Sequence, residues 1–311
     1  MKTIAIIGAG QLGSRHLQAI ALHKKALTIY VVDPSEESLD ISRARFWEVD
    51  KYENKDLIFI QSIADLPRLL DFVVVATNSL QRLSVLKELL QISKVHYLLL
   101  EKFLFPKEAE YEEALELMAE KEVKAYVNCA RRMWPSYQGL KEEMTHDTNI
   151  KITVTGSNWN MSSNAIHFLD LFFYLTNDKT MTFDLSRLDD NLIESKRQGY
   201  IDFSGAIKGY SVTGNNLSLT SNRKGSKPLT ITIESDQRVV KINEGLQEIH
   251  SENEIIEFPI LHVSKTTHKV FEQLIKQGTC ELVTFERSVQ DHLLLLTEFD
   301  KFLNGREGAI T

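Results

Sequence analysis

The chain has 311 residues, 43% of them hydrophobic and 25% charged, with a formal net charge of -7. That length suffices for two cores, the balance is that of an ordinary globular protein, and the acidic sign leaves no footprint for nucleic acid. No apolar run approaches a membrane span, the N-terminus enters a strand rather than a signal peptide, and Cys129 and Cys280 lack C-x-x-C spacing, so a cytoplasmic protein without membrane attachment or metal is expected.

Thr3 to Ile7 is an apolar, β-branched run that reads as a buried strand. Gly8-Ala9-Gly10-Gln11-Leu12-Gly13 follows, and a helical pattern begins at Ser14. A G-x-G-x-x-G turn between strand and helix is the context in which a dinucleotide pyrophosphate is held. Gly8 allows the turn, Gly10 allows close approach of the phosphates, and Gly13 allows close packing. The anion then lies at a helix N-terminus, among free N–H groups. A second apolar strand, Leu27 to Val32, ends at Asp33, twenty residues after Gly13. A carboxylate there accepts bonds from ribose hydroxyls and repels a 2′-phosphate, which favours NAD over NADP.

The alternation continues with strands at 57–60, 72–76, 96–100 and 123–127, separated by helical patterns. Ser62 to Asp65 resembles a capping box ahead of a short helix. A doubly wound parallel sheet, the Rossmann arrangement, is therefore expected over residues 1–127. Ligands bind beyond the carboxyl ends of such strands, which directs the glycine turn (with Gln11 and Leu12), Asp33, Thr77-Asn78 and Glu101-Lys102 at one crevice. A lysine at a strand end, just past Leu98-Leu99-Leu100 and Glu101, points to chemistry rather than to a solvated surface.

After residue 127 the rhythm changes. Residues 134–144 look helical, 150–159 strand-like, and a helix follows with Ile166, Leu169 and Phe173 on one face and His167 and Asp170 nearby. Residues 181–260 carry short strands and turns, with regular alternation at Leu229 to Ile233. Helical patterns at 264–277 and 284–304 close the chain. Residues 128–311 are expected to form an α+β domain with a large, mostly antiparallel sheet.

These motifs together resemble the glucose–fructose oxidoreductase, inositol dehydrogenase and MocA (Gfo/Idh/MocA) family of NAD(P)-dependent dehydrogenases. The resemblance rests on Gly8-x-Gly10-x-x-Gly13, Ala76-Thr77-Asn78, Glu101-Lys102, Arg132-x-x-Pro135 and His167-x-x-Asp170, in that order. It implies catalytic roles for Lys102 and His167. It also makes residues 128–311 a substrate-binding and oligomerisation domain, with a homodimer or homotetramer formed through its open sheet. Two positions depart from the family pattern. Phe103 replaces the proline of Glu-Lys-Pro, and Ser163 replaces the aspartate that precedes the histidine by four residues.

Oxidising a secondary alcohol requires removal of the hydroxyl proton as hydride leaves. A neutral His167 is suited to take that proton, and the Lys102 ammonium to stabilise the developing alkoxide. Asn158, Ser163 and Asn164 form an amide and hydroxyl rim suited to sugar hydroxyls, but unable to act as a base near neutral pH. Arg131 and Arg132 either meet an anionic substrate or pair with helix carboxylates, and Asp170 supports the site rather than serving as base. The expected activity is NAD-dependent hydride transfer with a sugar, cyclitol or nucleotide-sugar substrate. The alternatives are a non-catalytic NAD-sensing regulator on the same scaffold and a reductase of a non-sugar carbonyl or imine.

Overall fold

A computed structural model describes residues 1–195, 199–251, 254–306 and 308–310. In chain order the first elements are β1 (Lys2–Ile7), α1 (Gln11–Ala21), β2 (Leu27–Val32), α2 (Glu36–Trp47), β3 (Lys55–Ile60), β4 (Leu69–Val75), α3 (Ser79–Ile92), β5 (Lys94–Leu100), α4 (Glu108–Glu120) and β6 (Lys124–Val127). Then come α5 (Pro135–Glu143), β7 (Lys151–Ser157), α6 (Met161–Thr176), β8 (Met181–Leu188), β9 (Ile193–Glu194), β10 (Ile201–Asp202), β11 (Gly205–Ser211), β12 (Asn216–Asn222), β13 (Thr230–Glu234), β14 (Val239–Asn243), β15 (Glu248–Ser251) and β16 (Glu254–Glu257). The chain ends with α7 (Thr267–Gln277), β17 (Val283–Thr284) and α8 (Phe285–Leu303).

Two compact units result, residues 1–130 with 261–289, and residues 131–260 with 290–311. The first holds a seven-stranded sheet in the order β17-β6-β5-β4-β1-β2-β3. All neighbours are parallel except β17, which pairs antiparallel with β6. The central strands β1 and β4 are continuous apolar runs because helices cover both faces, and Ile4, Ala5, Ile6, Val73, Val74 and Val75 are fully buried. The order reverses between β1 and β4, and the glycine turn leaves β1 at that switch point.

Residues 261–289, which the sequence reading groups with the C-terminal domain, cluster with the first unit. The physical reason is long-range. Phe271 of α7 packs on Phe72 of β4 with ring centroids 5.5 Å apart, Thr267 bonds His16 of α1, and Val283 pairs with Val127 on the sheet edge. None of these partners is near in sequence, so local periodicity carries no trace of them.

The second unit has an eight-stranded sheet in the order β16-β15-β14-β13-β7-β12-β11-β8. Only the β7–β12 pairing is parallel. Ile152 and Val154 of β7 sit opposite Ile233 and Ile231 on one side and Leu217 and Leu219 on the other, all buried. The alternate residues of the same strands, among them Thr153, Thr155, Ser218, Thr220, Thr230 and Thr232, form the other, polar face. α6 lies against β12. It is buried nearly all round, with Ala165, Ile166, Leu169 and Phe172 at 0% exposure, as its stretch from Phe168 to Leu175, apolar but for Asp170, requires.

Candidate active site

The turn after β1 divides its glycines by task. Gly8 has φ +89°, a left-handed conformation, and a Cβ on it would lie 3.0 Å from the backbone of Ala76 and Thr77. A Cβ on Gly13 would lie 1.6 Å from the Gly8 carbonyl oxygen, so only glycine lets α1 begin there. At Gly10 a Cβ would meet nothing within 4 Å. Gly10 is also the N-cap of α1, with no side-chain cap bond, and the first turn carries no acidic residue. The space beside it therefore faces uncapped N–H groups and the positive end of the helix dipole. Leu12, at 38% exposure, and Gln11 stand on that first turn. Arg45 of α2, absent from the sequence reading, adds charge there. It donates to Gln11 Oε1 at 2.8 Å and to Ser14 Oγ.

Asp33 closes the turn from the end of β2. Its Oδ2 accepts from Ala9 N–H at 2.7 Å and its Oδ1 from Ser35 N–H at 2.9 Å. A carboxylate has about four acceptor positions, so two remain for hydroxyls. At the end of β4, Thr77 Oγ1 is buried without a hydrogen-bond partner among the described residues. An orphaned buried hydroxyl beside an open cradle is what a bound group would satisfy. These three observations fit NAD at Gly8 to Gly13, Asp33 and Thr77. Asn78 has a local task as N-cap of α3, its Oδ1 accepting from Gln81 N–H at 3.1 Å.

Behind these loops lie two buried groups that the sequence reading does not single out. Arg82, at 2% exposure, donates to the carbonyls of Thr77, Phe103 and Leu104, the last at 2.8 Å. One guanidinium thus joins the loop after β4 to the loop after β5. His16, at 0% exposure, donates from Nε2 to Glu101 Oε1 at 2.9 Å and bonds Thr267 Oγ1 through Nδ1 at 2.8 Å. Asn128 donates to the same Glu101 oxygen at 2.5 Å. Burial pushes the Glu101 carboxyl up, but the bonds and charge of His16, the Asn128 bond and the neighbouring Lys102 outweigh it and hold it below the ordinary range. This geometry gives the Glu101 side chain the task of tying α1 to the ends of β5 and β6. Lys102 follows directly, half-buried, and the Lys102–Phe103 peptide is cis.

In the second unit, α6 carries the other candidates. Asn158 and Asn160 both have φ +53°, and the latter starts the helix. Buried Asp202 accepts from Ser162 N–H at 2.7 Å, placing a carboxylate on the helix N-terminus from a distant strand. Ser163 Oγ donates to Asn160 O at 3.3 Å, and Asn164 Nδ2 to Trp159 O at 2.8 Å. His167, half-buried with its Nδ1 inside, lies one turn beyond Ser163. Asp170, at 1% exposure, accepts from Arg132 Nε at 3.0 and 2.9 Å. Arg131 forms a two-pronged pair with Glu244, 2.7 Å on each prong, and lies 4.4 Å from the Phe168 ring centre. Tyr137 donates to the same carboxylate at 2.9 Å. Burial alone would make Arg131 easier to deprotonate, yet Glu244 and Tyr137 push it further up, while burial and then Glu244 raise the Tyr137 phenol well above its ordinary value. Of the two alternatives for these arginines, the structure shows the ion pairs.

Residues 2–129 match the family model described as "Oxidoreductase family, NAD-binding Rossmann fold", named GFO_IDH_MocA. Over these residues the chain matches the NAD-binding domain of the Gfo/Idh/MocA family. Three solved structures share the fold along nearly the whole chain. UDP-N-acetylglucosamine 3-dehydrogenase GnnA from Acidithiobacillus ferrooxidans has a TM-score of 0.71 at 14% identity, covering 95% of this chain and 96% of that one. An oxidoreductase from Agrobacterium radiobacter, solved with NAD+, L-tartaric acid and magnesium, has 0.73 at 14%, covering 99% and 98%. The super-repressor mutant of Gal80p from Saccharomyces cerevisiae has 0.72 at 16%, covering 99% and 97%. Comparison with curated protein sequences finds no match. The Gfo/Idh/MocA Rossmann motif is the part that sequence alone reads fully. Arg82, His16, Asn128, Asp202 and Glu244 carry no motif, and only the placement of Arg82 and His16 on apolar helix faces signals a buried task.

Proposed function

We propose that the chain is an NAD-dependent oxidoreductase that moves hydride between nicotinamide and a hydroxyl or carbonyl of a sugar, cyclitol or nucleotide sugar. The observation that carries this is the open cradle at Gly10 over the uncapped start of α1, with the Thr77 hydroxyl orphaned beside it, in a chain whose residues 2–129 match the Gfo/Idh/MocA family model. Bound there, the dinucleotide supplies a hydride acceptor or donor. The remaining work falls to this chain. Gln11, Leu12 and Asp33 hold and orient it, and two acceptor positions of Asp33 meet the ribose diol, which disfavours NADP. Lys102 stabilises charge on the substrate oxygen, and His167 takes or returns the hydroxyl proton, through Nε2 because Nδ1 is buried. Arg132 and Asp170 fix each other and so hold the face of α6 on which His167 stands. Asn158, Ser163 and Asn164 meet substrate hydroxyls. We assign the chain to the cytoplasm, as a homodimer or homotetramer whose partner covers the threonine-rich face of the second sheet.

The test is NADH oxidation and NAD+ reduction with a panel of sugars, cyclitols, nucleotide sugars and non-sugar carbonyls. Turnover with a member of the first three classes supports the reading. NADH binding without turnover across the panel supports a second one, a nucleotide-sensing regulator, which Ser163 in place of aspartate and the likeness to the Gal80p super-repressor favour. Ser163→Asp then separates loss from adaptation. It awakens turnover in a chain that has lost a base, and impairs a chain whose hydroxyl rim fits its substrate.

A further inference from the structure

The arginines nearest to α6 in the sequence motif are committed, Arg131 to Glu244 and Arg132 to Asp170. A different set of cations stands at the head of the same helix. Between β12 and β13 the chain reads Arg223-Lys224-Gly225-Ser226-Lys227, three cations in five residues of a chain with net charge -7. All three are exposed, and among the described residues none forms an ion pair.

This loop is held to the segment that enters α6. Asn158 N–H donates to Asn222 O at 3.1 Å, Ser157 N–H to Lys227 O at 3.1 Å, and Lys227 N–H to Ser157 Oγ at 3.3 Å. Asn158 Nδ2 donates to Gly225 O at 3.3 Å, and Asn222 Nδ2 to Gly156 O at 3.0 Å. Gly225 supplies the left-handed turn at φ +100°. Trp159 Nε1 then donates to Thr220 O at 2.9 Å, and Asn164 Nδ2 to Trp159 O at 2.8 Å. The cationic loop, residues 156–160 and the first turn of α6 form one hydrogen-bonded platform. His167 follows Asn160 by seven residues, about 10 Å of helix rise.

We infer that Arg223, Lys224 and Lys227 form the docking site for a phosphate or diphosphate group on the substrate. Three neighbouring cations without a counter-charge repel one another, and a multivalent anion relieves that repulsion while gaining charge-assisted bonds. The backbone bonds fix the loop beforehand, so binding loses little further backbone freedom. The helix terminus itself is not the anion site, because Asp202 already accepts from Ser162 N–H. The rise of about 10 Å from Asn160 to His167 leaves room for a sugar ring between such a phosphate and the imidazole. Within the proposed function the substrate class is then a sugar phosphate or a nucleotide diphosphate sugar rather than a free hexose or cyclitol. This rests on reading α6 as the substrate side.

Calorimetric titration with inorganic pyrophosphate and with UDP tests it, with saturating NADH present to fill the other phosphate cradle. Wild-type chain should bind at low salt and weaken as salt rises. The variant carrying Arg223→Gln, Lys224→Gln and Lys227→Gln should bind on the order of tenfold or more weakly, with an unchanged melting temperature because all three side chains are exposed. Tighter binding of UDP than of pyrophosphate assigns a nucleotide-bearing substrate, and equal binding a simple phosphate. No binding of either probe by wild type, or equal binding by the variant, overturns the inference. If NADH fails to bind, the cofactor reading fails instead, and the variant still decides the loop because the glycine turn is intact in both proteins.

Discussion

Gly10 and Asp170 lie in different units and in opposite surroundings. Beside Gly10 the space is open, α1 has no capping side chain, and Thr77 Oγ1 is buried without a partner among the described residues. Around Asp170 the carboxylate accepts from Arg132 on both oxygens, and nearby Glu244 accepts from Arg131 and Tyr137. Polar groups left open at a protein surface invite a ligand, whereas polar groups that satisfy one another build a wall. The difference sorts the motif residues into those that meet ligands and those that support them, which conservation of type alone does not do. Substitutions in each class should therefore fail in different observables.

The largest effects are expected on turnover. His167→Ala should lower the rate by about 10²–10⁴, the range for a positioned acid or base. Lys102→Ala should lower it by about 10²–10³, as when one preorganised donor is lost. NADH affinity, read by fluorescence titration, should stay the same in both. Turnover indifferent to both changes would remove these residues from the chemistry.

In the wall, the failure is of stability. Glu244→Ala leaves the Arg131 guanidinium and the Tyr137 hydroxyl without their buried partner, and about 3–5 kcal/mol should be lost in denaturant unfolding. NADH affinity measured well below the transition should be unaltered. A loss under about 1 kcal/mol would show that water replaces the carboxylate and that the cluster is not closed.

The glycine turn allows the sharpest contrast, since the same added methyl should act oppositely three residues apart. Gly13→Ala places a Cβ 1.6 Å from the Gly8 carbonyl oxygen, so the turn must open and stability should fall by about 2 kcal/mol or more. Gly10→Ala meets no protein atom within 4 Å. It should leave the melting temperature within about a degree or two and weaken NADH binding about tenfold or more, because the methyl occupies the approach to the phosphates. Normal NADH affinity in Gly10→Ala would place the dinucleotide elsewhere.

What sequence makes legible follows the same division. The strand, glycine turn and helix of residues 2–21 are written in consecutive residues, and so are the alternation of strands and helices to residue 127 and the largely apolar character of α6. Their causes are local: side-chain period, turn chemistry and burial of a whole segment. Arg82 reaches carbonyls more than twenty residues away, Asp202 reaches back forty residues to Ser162, and Glu244 lies 113 residues from Arg131. Such partners are fixed by the tertiary fold, and no spacing in the chain announces them. Glu101 shows the consequence. Its place at the end of β5 marks it as a site residue, while its contacts with His16 and Asn128 give it a supporting one.

That assignment of Glu101 predicts the smallest effect, visible in pH dependence. The carboxyl titrates below 4.5 in the folded chain because the bonds and charge around it outweigh its burial. Between the folded value and 4.5 the unfolded chain binds a proton that the folded chain does not, so stability falls as pH falls. The contribution is fully present above about 4.5 and disappears as pH drops through the folded value. Glu101→Gln keeps an acceptor for His16 and Asn128 but removes the charge. At neutral pH it should cost about 1 kcal/mol, the difference between charged and neutral hydrogen bonds. It should also flatten the acid side of the stability profile, measured by denaturant unfolding from about pH 6 down to about pH 3. An unchanged acid slope would mean that other carboxylates carry it, and that the join between α1 and the ends of β5 and β6 does not depend on the Glu101 charge.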